Sequence, residues 1–402
     1  MFQMDKTKLI KDAITRSVDK IYPSASELEK VLSSGKKLRI YHGIDPTSPH
    51  LHLGHATNLL TLRKFQDLGH EIILLIGDFT ARIGDPSGKF STRRVLTEEE
   101  ITDNFKTFKA QAGKILRFGG KNPVQIAFNS KWYDTMTFKD VIKLAQHVTV
   151  QQMLERDMFE ERIKAGKPIG LHEFLYPIVQ GYDSVALDTD MEIGGTDQTF
   201  NMLVGRELVK TYKHKEKFVL TTKLLINPKT EKKLMNKSEG GAINLDDEPN
   251  DMFGKVMAVN DAGIAPIAEF CTDTPIPKVA RIKKGLSNGK SNPRDVKLEI
   301  AFEVVKLYHG EKSANGAREE WIRVFSKKET PDDVVELKVS KKISVVDLLL
   351  KAGIESKSEA RRLIEQGGVK IGDKTKKDSS EILNLRGGEI LKIGKRRFFR
   401  IS

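Results

Sequence analysis

Cysteine is almost missing: Cys271 is the only one in the chain. That excludes a disulfide scaffold and any cysteine-cluster zinc or iron–sulfur site. A reducing compartment, the cytoplasm, is expected. Long apolar runs are missing too. No stretch approaches the roughly 18–20 residues that a membrane-spanning helix needs. Residues 1–22 are charged throughout and lack the apolar centre of a secretory signal. Internal repeats and low-complexity tracts are also absent, which leaves ordinary globular domains.

The 402 residues suggest two to four such domains, and 39% hydrophobic against 31% charged residues allows a packed core. The net charge of +13 favours a polyanionic partner. The charge is unevenly spread. Residues 341–402 hold 16 lysines and arginines against 8 aspartates and glutamates, a net +8, more than half of the total. A localised basic module reads as a nucleic-acid footprint more than a uniform excess would.

Residues 1–37 read as two helical segments before a short strand, Leu38-Arg-Ile-Tyr-His42. A turn-rich stretch and a helix over about 54–68 follow. Ile72-Ile-Leu-Leu-Ile76 is a continuous apolar run, as expected of a strand buried on both faces of a parallel sheet. Val124-Gln-Ile-Ala-Phe128 and Met191-Glu-Ile193 read as further strands, with helical patterns between, notably over 138–163. This alternation predicts a doubly wound, Rossmann-like α/β domain. Residues 250–325 have helical periodicity, 326–333 form a polar linker with Pro331, and the basic tail reads as a small α+β fold.

The densest chemistry is Asp45-Pro-Thr-Ser-Pro-His-Leu-His-Leu-Gly-His55, between a strand and a helix. Free N–H groups and the positive dipole end make a helix N-terminus a natural phosphate site. Gly54 permits close approach to the backbone. His52 and His55, three apart, can share one side of the first turn and donate to a phosphate without a full charge at pH 7. A polar loop with incidental histidines is the plainer reading. Downstream, Lys232-Lys-Leu-Met-Asn-Lys-Ser238 precedes Gly240-Gly241. Such lysines can meet a triphosphate in the transition state, or simply form a solvated face. Gly84-Asp-Pro-Ser-Gly-Lys89 lacks the spacing of a phosphate loop. Tyr176, Gln180 and Asp183, at i, i+4 and i+7, share one helical face. Buried there, Gln180 and Asp183 would need partners that a ligand could supply; facing water, they would be an ordinary polar face.

His52-Leu-Gly-His55 with Leu234-Met-Asn-Lys-Ser238 resembles the paired signatures of class I aminoacyl-tRNA synthetases. Tyr41-His-Gly-Ile-Asp-Pro-Thr47, Ile83-Gly-Asp-Pro-Ser-Gly-Lys89, Gln180-Gly-Tyr-Asp183, Gly194-Gly-Thr-Asp-Gln198 and the basic tail extend the likeness over nearly the whole chain. Together they resemble bacterial-type tyrosyl-tRNA synthetases. One departure stands out: the second signature usually begins with lysine, where this chain has Leu234, with Lys233 one residue earlier. Lys237 keeps the second lysine.

The resemblance implies a tyrosine–tRNA ligase that forms tyrosyl-adenylate and pyrophosphate from L-tyrosine and ATP with Mg²⁺, then transfers tyrosine to the 3′ end of tRNA(Tyr). It implies no tightly bound cofactor and no protein-held metal. The domains would be a catalytic domain over 1–245, with a dimer-forming insertion at about 130–165, and a helical anticodon-binding domain over 246–326. A linker over 327–340 and a small basic RNA-binding domain over 341–402 would complete a homodimer. By the same resemblance Asp183 and Tyr41 would bind the substrate phenol, and Tyr176, Gln180 and Asp85 would surround its ammonium, with Gln198 and Thr80 nearby. Gly43, Asp45, Gly54, Gly194, Gly195 and Asp197 would serve ATP. Thr47, His52, His55, Lys233 and Lys237 would stabilise charge on the phosphates. In the tail, residues 344–371 resemble a small RNA-binding fold, in which Lys357, Arg361 and Arg362 would meet phosphates. The competing expectations are a structural RNA-binding protein with an inactive synthetase-like site, a nucleotidyltransferase of the same superfamily that uses no RNA, and tryptophan as substrate.

Overall fold

The computed structural model describes residues 6–85, 96–154, 157–236, 241–326, 335–372, 374–394 and 397–402. The chain divides into two compact units, one of residues 1–248 and 255–311, the other of 249–254 and 312–402.

In the first unit, strands β1 (Val18–Tyr22), β2 (Arg39–Ile44), β3 (Glu71–Ile76), β4 (Gln125–Phe128), β5 (Met191–Gly195) and β6 (Phe218–Thr222) form one sheet in the order β1-β6-β5-β2-β3-β4. Neighbours run parallel except β1, which is antiparallel to β6. The apolar run Ile72 to Ile76 is buried at every position, as a strand covered on both faces requires. Two strands depart from the sequence expectation. Residues 1–37 contain β1 as well as the helices Lys6–Thr15 and Ala25–Ser33, and β6 closes the domain. β1 is an edge strand with exposed Asp19 and Lys20, paired to residues some two hundred positions away, so its signal is not local.

The sheet grows from β2 through β3 to β4 on one side and through β5 to β6 on the other. The order therefore reverses between β2 and β5, where open α/β sheets place their ligands. Helix Leu53–Asp67 follows β2, Leu171–Ala186 precedes β5 and Thr199–Lys213 follows β5. The last two cross at Gly181 and Gly205, where a Cβ on Gly181 would lie 2.9 Å from the Gly205 backbone nitrogen. The helical stretch over 138–163 is three helices, Phe138–Ala145, Val150–Leu154 and Asp157–Lys164. Buried Arg162 ties it to the start of helix Leu171–Ala186, with Nη2 3.1 Å from Glu173 Oε1. Helices Ile264–Phe270, Ile276–Ser287 and Pro293–His309 complete the unit.

In the second unit, β7 (Val335–Leu337), β9 (Val369–Ile371), β10 (Lys374–Lys376), β12 (Ile390–Ile393) and β13 (Arg397–Ile401) form a sheet in the order β10-β9-β12-β13-β7, and β8 (Lys342–Ser344) pairs with β11 (Ile382–Asn384). Helices Val345–Lys351 and Lys357–Glu365 are capped by Ser344 and Ser356, whose hydroxyls accept from Asp347 and Glu359 backbone N–H groups at 3.0 and 3.1 Å. Among the described residues, Val345, Leu348, Leu349, Ile364, Val369 and Leu391 belong to one buried cluster built from tail residues. Among the described residues, no helix is long and apolar enough to cross a membrane.

Candidate active site

At the C-terminal edge of β2 and β5 lies a cavity of about 230 Å³. Of the residues singled out in the sequence, Tyr41, Gly43, Asp45, Thr47, His55, Thr80, Asp85, Tyr176, Gln180, Asp183, Gly194 and Gln198 line it. His52, Gly54, Gly195, Asp197 and Lys233 are not in its wall. Lys237 and Ser238 of the second signature, and 86–89 of the 84–89 motif, fall outside the described residues.

The two histidines are built into the helix start. His52 is the N-cap of helix Leu53–Asp67, its Nδ1 accepting from Gly54 N–H at 3.1 Å, while His55 Nδ1 accepts from His52 N–H at 3.1 Å. Their rings stack with centroids 3.9 Å apart. With both Nδ1 atoms committed as acceptors, each neutral ring carries its proton on Nε2. Burial pulls His52 down to about 4, and burial with the neighbouring His52 takes His55 well below the usual range. Both are neutral donors at pH 7. Gly54 has no room for a side chain, since a Cβ would lie 2.9 Å from His52 Cε1.

The chain returns to this corner after the second signature. Leu53 N–H donates to Ile243 O at 3.0 Å, and Leu245 N–H donates to Leu51 O at 2.7 Å. Leu234, at the signature position, is 1% exposed and packs beside Gly263. Lys233 instead reaches the outside, where Nζ lies 2.8 Å from Asp197 Oδ2. Lys233, not Leu234, thus presents the cation at the start of this segment.

On the other side of the cavity, Asp45 accepts from Thr80 Oγ1 at 2.7 Å and from Tyr176 Oη at 2.8 Å. Tyr176, Gln180 and Asp183 are brought together on one face of helix Leu171–Ala186, and that face is turned to the cavity rather than to water. An amide chain links the walls. Asn201 Nδ2 donates to Gln180 Oε1 at 2.7 Å and to Gln198 Oε1 at 2.9 Å, and Gln198 Nε2 donates to Asp85 Oδ2 at 2.8 Å. Asp183 is 2% exposed and accepts from Trp132 Nε1 at 3.0 Å and Asn129 Nδ2 at 3.3 Å. Burial pushes its carboxyl well above the usual range. Tyr41 hydrogen-bonds through Oη to Ser184 Oγ at 2.8 Å rather than to Asp183.

Sequence reasoning missed Asn129, Trp132, Ser184, Glu192 and Lys217. Glu192, a charge inside the apolar strand Met191-Glu-Ile193, was the one visible signal. Lys217 sits in the stretch His214-Lys-Glu-Lys217, which reads as a solvated surface. In the tail, Lys357, Arg361 and Arg362 are all exposed on helix Lys357–Glu365, whose buried residues are Ala360 and Ile364.

A profile of the tRNA synthetases class I (W and Y) matches residues 33–326, and one of the S4 domain matches 345–390. The tyrosine–tRNA ligase of Thermotoga maritima is 44% identical over 99% of this chain and 97% of its own. That of Moorella thermoacetica is 42% identical over 96% of this chain and 94% of its own. A C-terminally truncated mitochondrial tyrosyl-tRNA synthetase of Aspergillus nidulans shares the fold, with a TM-score of 0.65 and 22% identity over 80% of this chain and 95% of that one. With its two paired histidines at a helix start, its cavity at the sheet's reversal and this near full-length kinship, the chain belongs to the class I tRNA synthetases (W and Y), in the family of tyrosine–tRNA ligases.

Proposed function

We propose that the protein is a tyrosine–tRNA ligase: it joins L-tyrosine to ATP as tyrosyl-adenylate, releasing pyrophosphate, and passes tyrosine to the 3′ end of tRNA(Tyr). The observation that carries the reading is kinship to tyrosine–tRNA ligases over 99% of the chain. The cavity supports it, because its wall includes buried Tyr41 and Asp183, two polar groups suited to a phenol. The tyrosine carboxylate attacks the α-phosphorus and pyrophosphate leaves, so no enzyme nucleophile is needed. Catalysis is positioning and stabilisation of charge growing on the phosphates.

Asp183 and Tyr41 hold the substrate hydroxyl. Tyr176, Gln180, Asp85, Gln198 and Thr80 surround the ammonium end, and Asp45 ties Thr80 to Tyr176 from the nucleotide side. Gly43, Gly54, Gly194 and Gly195 let the nucleotide lie against backbone, and Asp197 accepts from its ribose. Thr47, the Nε2–H groups of His52 and His55, Lys233 and Lys237 act on the phosphates. ATP enters as its Mg²⁺ complex, the ion belonging to the substrate.

The tail meets tRNA phosphates through Lys357, Arg361 and Arg362, and the helices over 246–326 approach the anticodon. The protein is a cytoplasmic homodimer. Its interface is the insertion, whose Phe138 is 80% exposed in the single chain, with Ile142, Val150, Ile163 and nearby Leu171 also exposed. No observation favours a structural RNA-binding protein with an inactive site. ATP–pyrophosphate exchange with each amino acid in turn is the test. Exchange driven by tyrosine is expected, and exchange driven by tryptophan and not tyrosine would refute the assignment.

A further inference from the structure

Behind Tyr41 lies an ion pair that none of the roles above uses. Lys217, on the loop entering β6, is fully buried. Its Nζ donates to Ser184 Oγ at 2.6 Å and to Glu192 Oε2, and stands 5.7 Å from the centre of the Tyr41 ring. Glu192, on β5, is 3% exposed and faces the cavity. Space for the ammonium is kept by Gly205, where a Cβ would lie 2.8 Å from Lys217 Nζ and 2.9 Å from Ser184 Oγ. A buried pair of this kind is weak support for stability, because desolvation offsets much of the attraction. Its placement against a substrate-facing hydroxyl points to another use.

The hydrogen-bond directions follow from the groups. An ammonium only donates, so Ser184 Oγ accepts from Lys217 and has its own proton to place. That proton has two neighbours, Glu192 Oε2 at 3.3 Å and Tyr41 Oη at 2.8 Å. Ser184, itself held by Lys217, thereby anchors Tyr41 Oη at the wall of the cavity that Asp183 also lines. A substrate hydroxyl placed between Tyr41 and Asp183 can hydrogen-bond to both, which a C–H cannot.

Resting on the tyrosine reading, we infer that Lys217, acting through Ser184, is a positioning residue that fixes the Tyr41 hydroxyl for its hydrogen bond to the substrate hydroxyl and so sets discrimination against amino acids lacking one. The test is pyrophosphate exchange with tyrosine and with phenylalanine on the full-length protein, its Ser184→Ala variant and the double variant Lys217→Met, Glu192→Gln. The double variant removes both charges together and leaves neither buried alone. In both variants kcat/KM for tyrosine is expected to fall about tenfold or more, with phenylalanine and the KM for ATP unchanged, so the tyrosine-to-phenylalanine ratio drops. An unchanged ratio, whether both substrates hold or both fall together, overturns the inference while leaving the tyrosine reading intact. A wild-type protein without tyrosine-dependent exchange overturns that reading and the inference with it.

Discussion

Gly77 and Asp45 are fitted to each other: a Cβ on Gly77 would lie 2.0 Å from Asp45 Oδ1 and 2.3 Å from Thr80 Oγ1. The bond between Asp45 and Thr80 passes through the space that any side chain at 77 would take. Gly77→Ala must therefore break it or shift β3. Overpacking of this sort costs about 1–3 kcal/mol. The variant is expected to melt lower than wild type and to show a raised KM for tyrosine in pyrophosphate exchange; an unchanged KM would separate Asp45 from the amino-acid site.

Asp183→Ala removes the buried acceptor for the substrate hydroxyl. A buried polar group left without its hydrogen-bond partner costs about 1–3 kcal/mol. Tyrosine kcat/KM should fall by that much, with KM for ATP nearly constant, as steady-state exchange kinetics would show. Trp132 Nε1–H and Asn129 Nδ2–H, left facing a gap, will also lower thermal stability.

Lysine substitutions separate ground-state from transition-state effects. Lys237→Ala is expected to raise the barrier to adenylate formation by ~3 kcal/mol, the size of losing one electrostatic donor to developing charge. Lys233→Ala should also slow that step, on the proposal that Lys233 stands in for the lysine missing at Leu234. Neither should alter tyrosine binding. Stopped-flow measurement of adenylate formation checks both, and a matching loss of tyrosine affinity would contradict the assignment.

The stacked histidines give stability a pH dependence. An unfolded histidine titrates near 6.5, whereas folded His52 holds off protonation to about 4. Above pH 6.5 both states are neutral and the residue contributes nothing. Below it the unfolded chain takes up a proton that the folded chain refuses, so stability falls progressively as pH drops from about 6.5 toward 4, by roughly 3 kcal/mol for this residue. His52→Asn keeps a capping acceptor but cannot titrate. Its urea midpoint should vary less between pH 7 and pH 5 than that of the wild type.

Removing the chain from residue 335 onward deletes β7 along with the rest of the tail sheet and takes away the buried cluster built from tail residues. Tyrosine activation should persist. Charging of tRNA should weaken and lose part of its salt dependence, because fewer phosphate counterions are released. Paired exchange and charging assays at several salt concentrations test this; charging with an unchanged salt slope would remove the tail from the tRNA contact.

One half of the candidate site is legible in the sequence because its chemistry is local. His52 and His55 share one helical turn, and Tyr176, Gln180 and Asp183 share one helix face, so spacing alone groups them. The hidden half is non-local. Lys217, Ser184 and Tyr41 come from three elements and meet only when β6, helix Leu171–Ala186 and β2 pack side by side. Asn129 likewise reaches Thr80 and Asp183 from the end of β4. The fold shows the same division. Ile72 to Ile76 announces its strand by composition, whereas β1 exists because β6 offers it an edge.

The crossing at Gly181 and Gly205 acts as a gauge for the cavity. One helix carries Tyr176, Gln180 and Asp183, the other Asn201, with Gln198 just before it, and backbone rather than side chain sets their separation. Trimming a wall residue enlarges the chamber locally, at fixed spacing. Adding even a methyl group at either glycine moves both walls at once, together with every amide between them. Redesign toward bulkier amino acids is therefore a matter of the walls, and the two glycines are the positions to leave alone.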